Sequence, residues 1–245
     1  MQLKDRLAQE GAWLFRFRSF LPFLLLPILL VALSQSEMVE QLLGEKAEDV
    51  WEGFCLAISL LGVAIRAVTI GYAAYGTSGR NTKRQRADAL NTAGIYAVVR
   101  HPLYLGNFCI FLGVVLLTQV WWFAVIGILS YWLYYERIIL AEEAFLRERF
   151  GEAYESWASD TPIFVPRISR WKHPDQPFGL KTVLKRETST LFATVLSFTL
   201  TDIGMDLLGE GHLKIDAGWM GLLGAALLLY LAVRFLRKRT SLLDT

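Results

Sequence analysis

Arg100, His101 and Tyr104 surround Pro102 within residues 92–107, and two adjacent carboxylates, Glu142 and Glu143, follow later in the chain. A guanidinium, an imidazole, a phenol and paired carboxylates are groups that bind and orient a charged ligand and hold or move a proton. Pro102 suits the first turn of a helix, because the N–H it lacks would have no helical partner there. The N–H groups of Leu103, Tyr104 and Leu105 are then expected to point outward, a setting that favours anionic groups. The same residues also read as an interfacial helix start, with Arg, His and Tyr anchoring at the headgroup level. Residues 108–117, almost wholly apolar, follow directly.

The elements that must position these groups are membrane helices. A chain of 245 residues that is 54% hydrophobic and 13% aromatic, with mean hydropathy +0.37, is too apolar for an ordinary soluble domain. Apolar segments at 20–33, 51–75, 103–117, 121–139, 188–208 and 219–236 predict about six membrane helices, so the expected fold is all-α, a polytopic transmembrane bundle. Residues 118–120 carry no charge and read as the tip of a helical hairpin. Trp121, Trp122, Tyr131, Trp132, Tyr134 and Tyr135 form an aromatic belt near the ends of its second arm.

Charge sets the expected topology. Lys4, Arg6, Arg16 and Arg18 precede the first span, which reads as an uncleaved anchor although residues 32–34 imitate a signal-peptide cleavage site. Glu37, Glu40, Glu45, Glu48 and Asp49 make the next loop acidic, whereas residues 76–86 are basic and turn-rich. Of the cations, Lys46 and Lys214 alone fall in the expected outer loops, which places both termini in the cytoplasm.

Residues 142–157 read as a cytoplasmic amphipathic helix, with Leu146, Phe150 and Trp157 on one face. Glu142 and Glu143 lean toward that apolar side, either as partners of Arg137 or Arg100 or to face a bound cationic ligand. Arg66 interrupts the second span; it either snorkels to the interface or binds an anionic part of a ligand or lipid. Asp202 and Asp206 are expected at the interface. A net charge of +2, spread over several loops, does not suit nucleic acid. Cys55 and Cys109 lie in apolar segments, and His101, His173 and His212 lie in separate loops, so neither a disulfide framework nor a metal site is expected.

The words Gly94-Ile-Tyr96, Arg100-His-Pro-Leu-Tyr-Leu-Gly106, Glu142-Glu143, Phe150-Gly-Glu-Ala-Tyr154 and Thr161-Pro-Ile-Phe-Val-Pro166 resemble, in order and spacing, the isoprenylcysteine carboxyl methyltransferase and phospholipid methyltransferase superfamily. The resemblance divides the chain into an N-terminal part (1–59), a methyltransferase core with the cofactor site (60–167), and a linker with two extra membrane helices (168–245). It implies an integral, multi-pass membrane enzyme that moves a methyl group from S-adenosylmethionine to a lipid or lipidated acceptor. Cofactor contacts carry over to Leu90, Asn91, Tyr96, His101, Pro102, Leu103, Tyr104 and Glu142.

On that carry-over the helix-start N–H groups, His101 and Tyr104 take the donor's carboxylate, and Glu142 takes its ammonium or ribose hydroxyls. Arg100, Arg137 and Glu143 are the candidate catalytic residues, with Glu143 either completing the donor cage or acting on an acceptor proton. The family's carboxyl methyltransferases place an arginine four residues before the first glutamate of the pair; here that position is Ile138, with Arg137 beside it. The basic groups lean toward a carboxylate or lipid phosphate over an amine. The competing class is a non-catalytic membrane protein that keeps the fold as a structural or redox-accessory module.

Overall fold

The computed structural model describes residues 3–17, 21–36, 44–73, 87–174 and 176–240. The described residues form α1 (Leu3–Phe17), α2 (Leu26–Leu33), α3 (Glu45–Tyr72), α4 (Pro102–Leu117), α5 (Trp121–Phe150), α6 (Glu152–Asp160), α7 (Leu180–Met205) and α8 (Ala217–Arg239), joined by short turns. Among them, extended pairing is confined to an isolated bridge between Gly94 and Lys172. The fold is all-α, as expected. The basic stretch 76–86 and much of the acidic loop after α2 lie outside the described residues.

Among the described residues, four helical segments are long and apolar enough to cross a membrane: Lys46–Tyr72, Trp121–Phe150, Leu180–Gly209 and Ala217–Arg239. Phe23–Leu33 and Pro102–Leu117 are apolar but shorter. At about 1.5 Å per residue even the longer of these falls short of a hydrocarbon core of about 30 Å. The chain is a polytopic membrane protein, and each of the six apolar segments read from sequence coincides with one of these helices.

One boundary differs. The span expected to end at residue 139 and the amphipathic helix expected at 142–157 are not separate elements, because α5 runs unbroken from Trp121 to Phe150. Neither Pro nor Gly lies between Arg137 and Phe150, so the helix continues until Gly151, whose φ of +51° favours glycine. Trp157 belongs to the next helix and does not share a continuous face with Leu146 and Phe150.

Two compact units result. One comprises residues 1–24, 68–105 and 129–178; the other comprises 25–67, 106–128 and 179–245. In the first, Phe15, Tyr104, Ile138 and Ile139 are buried together, with Leu14, Tyr134 and Tyr135 around them.

In the second unit α3 and α4 approach through small residues. A Cβ on Gly62 would collide with the Gly106 carbonyl oxygen, and one on Gly106 would lie 2.8 Å from that of Gly62. Such close approach is how membrane helices gain contact when both lipid and side chains are apolar. Ser59 adds a hydrogen bond to the Ile110 carbonyl (3.0 Å), and the Trp51 indole N–H donates to the Leu116 carbonyl (3.0 Å). The hairpin tip forms at residues 118–120, where Gln119 adopts φ +60° and donates to Glu48 (3.0 Å).

Arg66 follows neither sequence reading. Its Nε and Nη2 donate to the two carboxylate oxygens of Glu187 at 2.7 and 2.8 Å, and Nη1 donates to Asn107 Oδ1. Desolvation makes a bidentate partner inside the protein preferable to snorkelling. Asp202, expected at the interface, is only 8% exposed, and its Oδ2 has no hydrogen-bond partner.

Candidate functional site

The site is built in the first unit around the start of α4. Gly94 holds φ +59°, its N–H donates to the Lys172 carbonyl (2.8 Å), and a single 3₁₀ turn, Ile95–Ala97, carries the chain on. Ala97, Val98 and Val99 are buried, which fixes the backbone just ahead of Arg100. Pro102 opens α4, as its missing N–H led us to expect. Of the three N–H groups expected to favour an anion, two are taken within the helix start. Those of Tyr104 and Leu105 both donate to the His101 carbonyl at 3.1 Å, so the helix start satisfies itself.

The opposing wall is α5. Tyr131, Tyr135, Ile138 and Glu142 follow one another at spacings of four, three and four residues and so share one face. The Tyr131 hydroxyl donates to the Tyr104 carbonyl (2.7 Å), the Tyr131 and Tyr135 rings stack at 4.1 Å, and Tyr135 lies 4.8 Å from the Tyr104 ring. These aromatics, read from sequence as part of a membrane belt, support the site. Their signal was the helical spacing that leads to Glu142.

The polar groups converge on the carboxylate pair. Arg100 Nη1 donates to Glu143 Oε1 at 2.8 Å, and its Nε donates to the Thr161 carbonyl at 2.7 Å. His101 lies between both acids, with Nε2 3.2 Å from Glu143 Oε1 and Nδ1 3.6 Å from Glu142 Oε2. The Tyr104 hydroxyl donates to Glu142 Oε1 at 2.7 Å. Burial opposes an imidazolium here, but the hydrogen bonding and charge of Glu142 and Glu143 outweigh it, so the His101 pKa is raised. Burial also pushes the Tyr96 phenol above its ordinary range, with the charge of Glu142 adding to it.

Arg100, His101, Pro102, Tyr104, Glu142 and Glu143 are thus brought together, and Tyr96 lies within the field of Glu142. Leu103 follows in the first turn of α4. Leu90 and Asn91 are half-buried on the irregular lead-in to Gly94. Arg137 points elsewhere: its Nε lies 3.3 Å from Glu10 of α1, and Nη1 donates to the Leu133 carbonyl (2.6 Å). The reason is helical rotation, since five residues turn the chain about 140° and so separate Arg137 from the Glu142 face.

Tyr154, quoted above only within a motif, is fully buried; its hydroxyl has no hydrogen-bond partner of good geometry, and Arg100 and Glu143 are its charged neighbours. Burial, and then the Glu143 charge, push this phenol up to about 12.

The electrostatic consequence is specific. Glu143 is 12% exposed at its side chain and committed to Arg100 and His101, whereas Glu142 is 25% exposed and is the more open acid. Above the raised His101 pKa two carboxylates face one guanidinium and the cluster carries a net negative charge, which favours a cationic ligand; below it the imidazolium balances the second acid. Among the described residues no group of three or more His, Cys, Asp or Glu is placed to hold a metal ion.

Residues 53–153 match the phospholipid methyltransferase family. Over 126 residues the chain is 32% identical to the nickel-cobalt-cadmium resistance protein NccN of Alcaligenes xylosoxydans xylosoxydans, which covers 51% of this chain and 56% of that protein. It is 32% identical over 127 residues to the cobalt-zinc-cadmium resistance protein CzcN of Cupriavidus metallidurans, covering 50% and 56%. With the protein-S-isoprenylcysteine O-methyltransferase of Schizosaccharomyces pombe it shares 37% identity over 87 residues, 36% of this chain and 37% of that enzyme. The chain therefore matches little more than half the length of the first two relatives and less of the third. No solved structure matches it.

Proposed function

We propose that this chain belongs to the superfamily of isoprenylcysteine carboxyl and phospholipid methyltransferases, which its matches to that family support, and that it transfers a methyl group from S-adenosylmethionine to a lipidic acceptor at the cytoplasmic membrane interface. Residues 60–167 form the methyltransferase core in this reading. The observation that carries it is the carboxylate pair of α5, held at the start of α4 by Arg100, His101 and Tyr104.

A cationic donor fits those groups. Glu142, with Tyr104 fixing its orientation, takes the donor's positive charge, and the Tyr131–Tyr135 stack supplies aromatic faces behind Tyr104. Tyr96, His101 and Pro102 with Leu103 complete the donor's surroundings, and Leu90 and Asn91 line its approach. The donor brings a methyl group on an already activated leaving group. The protein's task is then to position, to exclude water and to match charge, with Glu143 holding Arg100 and His101 in place.

For the acceptor, the three arginines sort by how readily each changes partner. Arg66 and Arg100 are in buried pairs, at side-chain exposures of 15% and 16%. Breaking such a pair costs about 3–5 kcal/mol. Arg137 is in a surface pair with Glu10, worth at most about 1 kcal/mol. Arg137 is therefore the cation that an anionic acceptor, a carboxylate or a lipid phosphate, can recruit.

Titrating the purified protein with the donor, followed by mass spectrometry of membrane lipids from cells with and without it, tests the reading. Saturable donor binding and a lipid that gains one methylene mass are expected. A protein that binds no donor is the non-catalytic alternative instead.

A further inference from the structure

The segment that closes the site, Thr161 to Lys172, is a strap with two different sides. Its inner side is stitched to the first unit. The Pro162 carbonyl accepts from the Arg100 N–H (2.9 Å), the Thr161 carbonyl from the Arg100 guanidinium (2.7 Å), and the Lys172 carbonyl from the Gly94 N–H (2.8 Å). The Arg167 N–H donates to the Val98 carbonyl (3.1 Å), and the Phe164 ring meets Trp132 of α5 edge-on at 5.4 Å. Trp171 likewise meets Tyr72 edge-on at 6.3 Å.

The outer side is apolar and basic together. Phe164 packs on Trp132, whereas its neighbours Ile163 and Val165 are 44% and 75% exposed and Ile168 is 80% exposed. Between and beyond them stand Arg167, Arg170 and Lys172, with no acid within residues 161–172. Arg170 is partly engaged by Asp160 at 3.3 Å. In water such a surface would leave branched apolar side chains exposed for no return. Beside a membrane-length helix the same surface matches the headgroup boundary, where apolar side chains enter the acyl edge and cations meet phosphate.

We propose that this strap is a docking surface for an anionic phospholipid bilayer. Ile163, Val165 and Ile168 insert at the headgroup boundary, Arg167 and Lys172 meet the lipid phosphates, and the strap's carbonyls pass that contact on to Arg100. The surface is distinct from the donor cage, and its test does not depend on methyl transfer. Since juxtamembrane cations each contribute roughly five-fold to association with an anionic surface, neutralising Arg167 and Lys172 together should lower the docked-to-free ratio on the order of 25-fold.

The experiment uses the full chain with Cys55 and Cys109 replaced by Ser, a cysteine introduced by Ile168→Cys and labelled with a polarity-sensitive fluorophore. The protein is reconstituted in vesicles of phosphatidylcholine alone or with phosphatidylglycerol, and a second labelled variant, Ser156→Cys on exposed α6, serves as reference. Phosphatidylglycerol should shift the Ile168→Cys emission to the blue and protect the label from aqueous iodide, while the reference stays quenched. Arg167→Gln with Lys172→Gln, or high salt, should reverse the protection. A label equally accessible to iodide in both vesicles overturns the proposal. Equal protection in both also overturns it, because the basic residues would then have no part. Far-ultraviolet circular dichroism and a monodisperse size-exclusion profile of each variant separate a misfolded protein from an undocked strap.

Discussion

Glu143→Gln is the sharpest perturbation of the site, because it keeps the side chain's size and removes only its charge. The carboxylate accepts from Arg100 at 2.8 Å and lies 3.2 Å from His101 Nε2, with side-chain exposures of 16%, 12% and 6% for Arg100, Glu143 and His101. At such burial the removal of one partner leaves the other desolvated, which costs about 3–5 kcal/mol, whereas a surface pair would cost at most about 1 kcal/mol. The amide oxygen can still accept one hydrogen bond from Arg100, so about 3 kcal/mol is expected.

The pH dependence gives an independent sign. A histidine whose folded pKa is raised contributes stability that is fully present below its unfolded value, about 6.5, and is lost as pH rises through the folded value. Wild-type stability should therefore fall as pH increases above about 6.5, and Glu143→Gln should flatten that fall by removing one of the two carboxylates that raise the pKa. Denaturant unfolding in detergent at a series of pH values reads both effects. A variant within about 1 kcal/mol of wild type, with an unchanged pH slope, would refute the buried-pair reasoning.

Other consequences follow from the same contacts. Protonated His101 neutralises the cluster, so donor affinity measured by calorimetry should rise as pH increases through its raised pKa; a flat profile would place the donor's charge elsewhere. Arg137→Gln should change stability by at most about 1 kcal/mol yet raise the apparent KM for lipid, with donor affinity unchanged; an unaltered KM would remove Arg137 from the acceptor site. Asp202→Asn replaces a buried, unpartnered carboxylate oxygen and should raise the Tm, so a lowered one would mean that the charge has a partner. If all six apolar helices cross, reporter fusions after Leu43 and after Gly211 should both report the outer side, and a cytoplasmic signal from either would break that topology.

What was legible in the sequence was local. Pro102 at the start of α4, the uncharged hairpin tip and the carboxylate pair facing inward all follow from steric, charge and spacing rules that act within a few residues. What was not legible depended on partners far along the chain. Of the three N–H groups expected after Pro102 to favour an anion, the His101 carbonyl accepts from two, a backbone choice that composition does not encode. Arg137 stands five residues before Glu142, but helical rotation turns it to Glu10, a surface partner that it must leave to meet an acceptor. Tyr131 and Tyr135 read as membrane anchors until the face they share with Glu142 was taken into account.

Arg66 and Glu187 show what α7 does for the second unit. The matched family region ends at residue 153, so by sequence α7 and α8 are additions without a role. Yet Glu187 of α7, 121 residues from Arg66, gives both carboxylate oxygens to the guanidinium that interrupts α3. Without that acid a cation in a membrane-length helix would stand unpaired, at a cost of about 2.5–3.5 kcal/mol or more. Asn107 of α4 takes the remaining side of the same guanidinium, close to the seam where Gly62 and Gly106 bring α3 and α4 together. One guanidinium thus joins α3 to α7 through Glu187 and to α4 through Asn107. A C-terminal addition that supplies a core countercharge is no longer separable from that core.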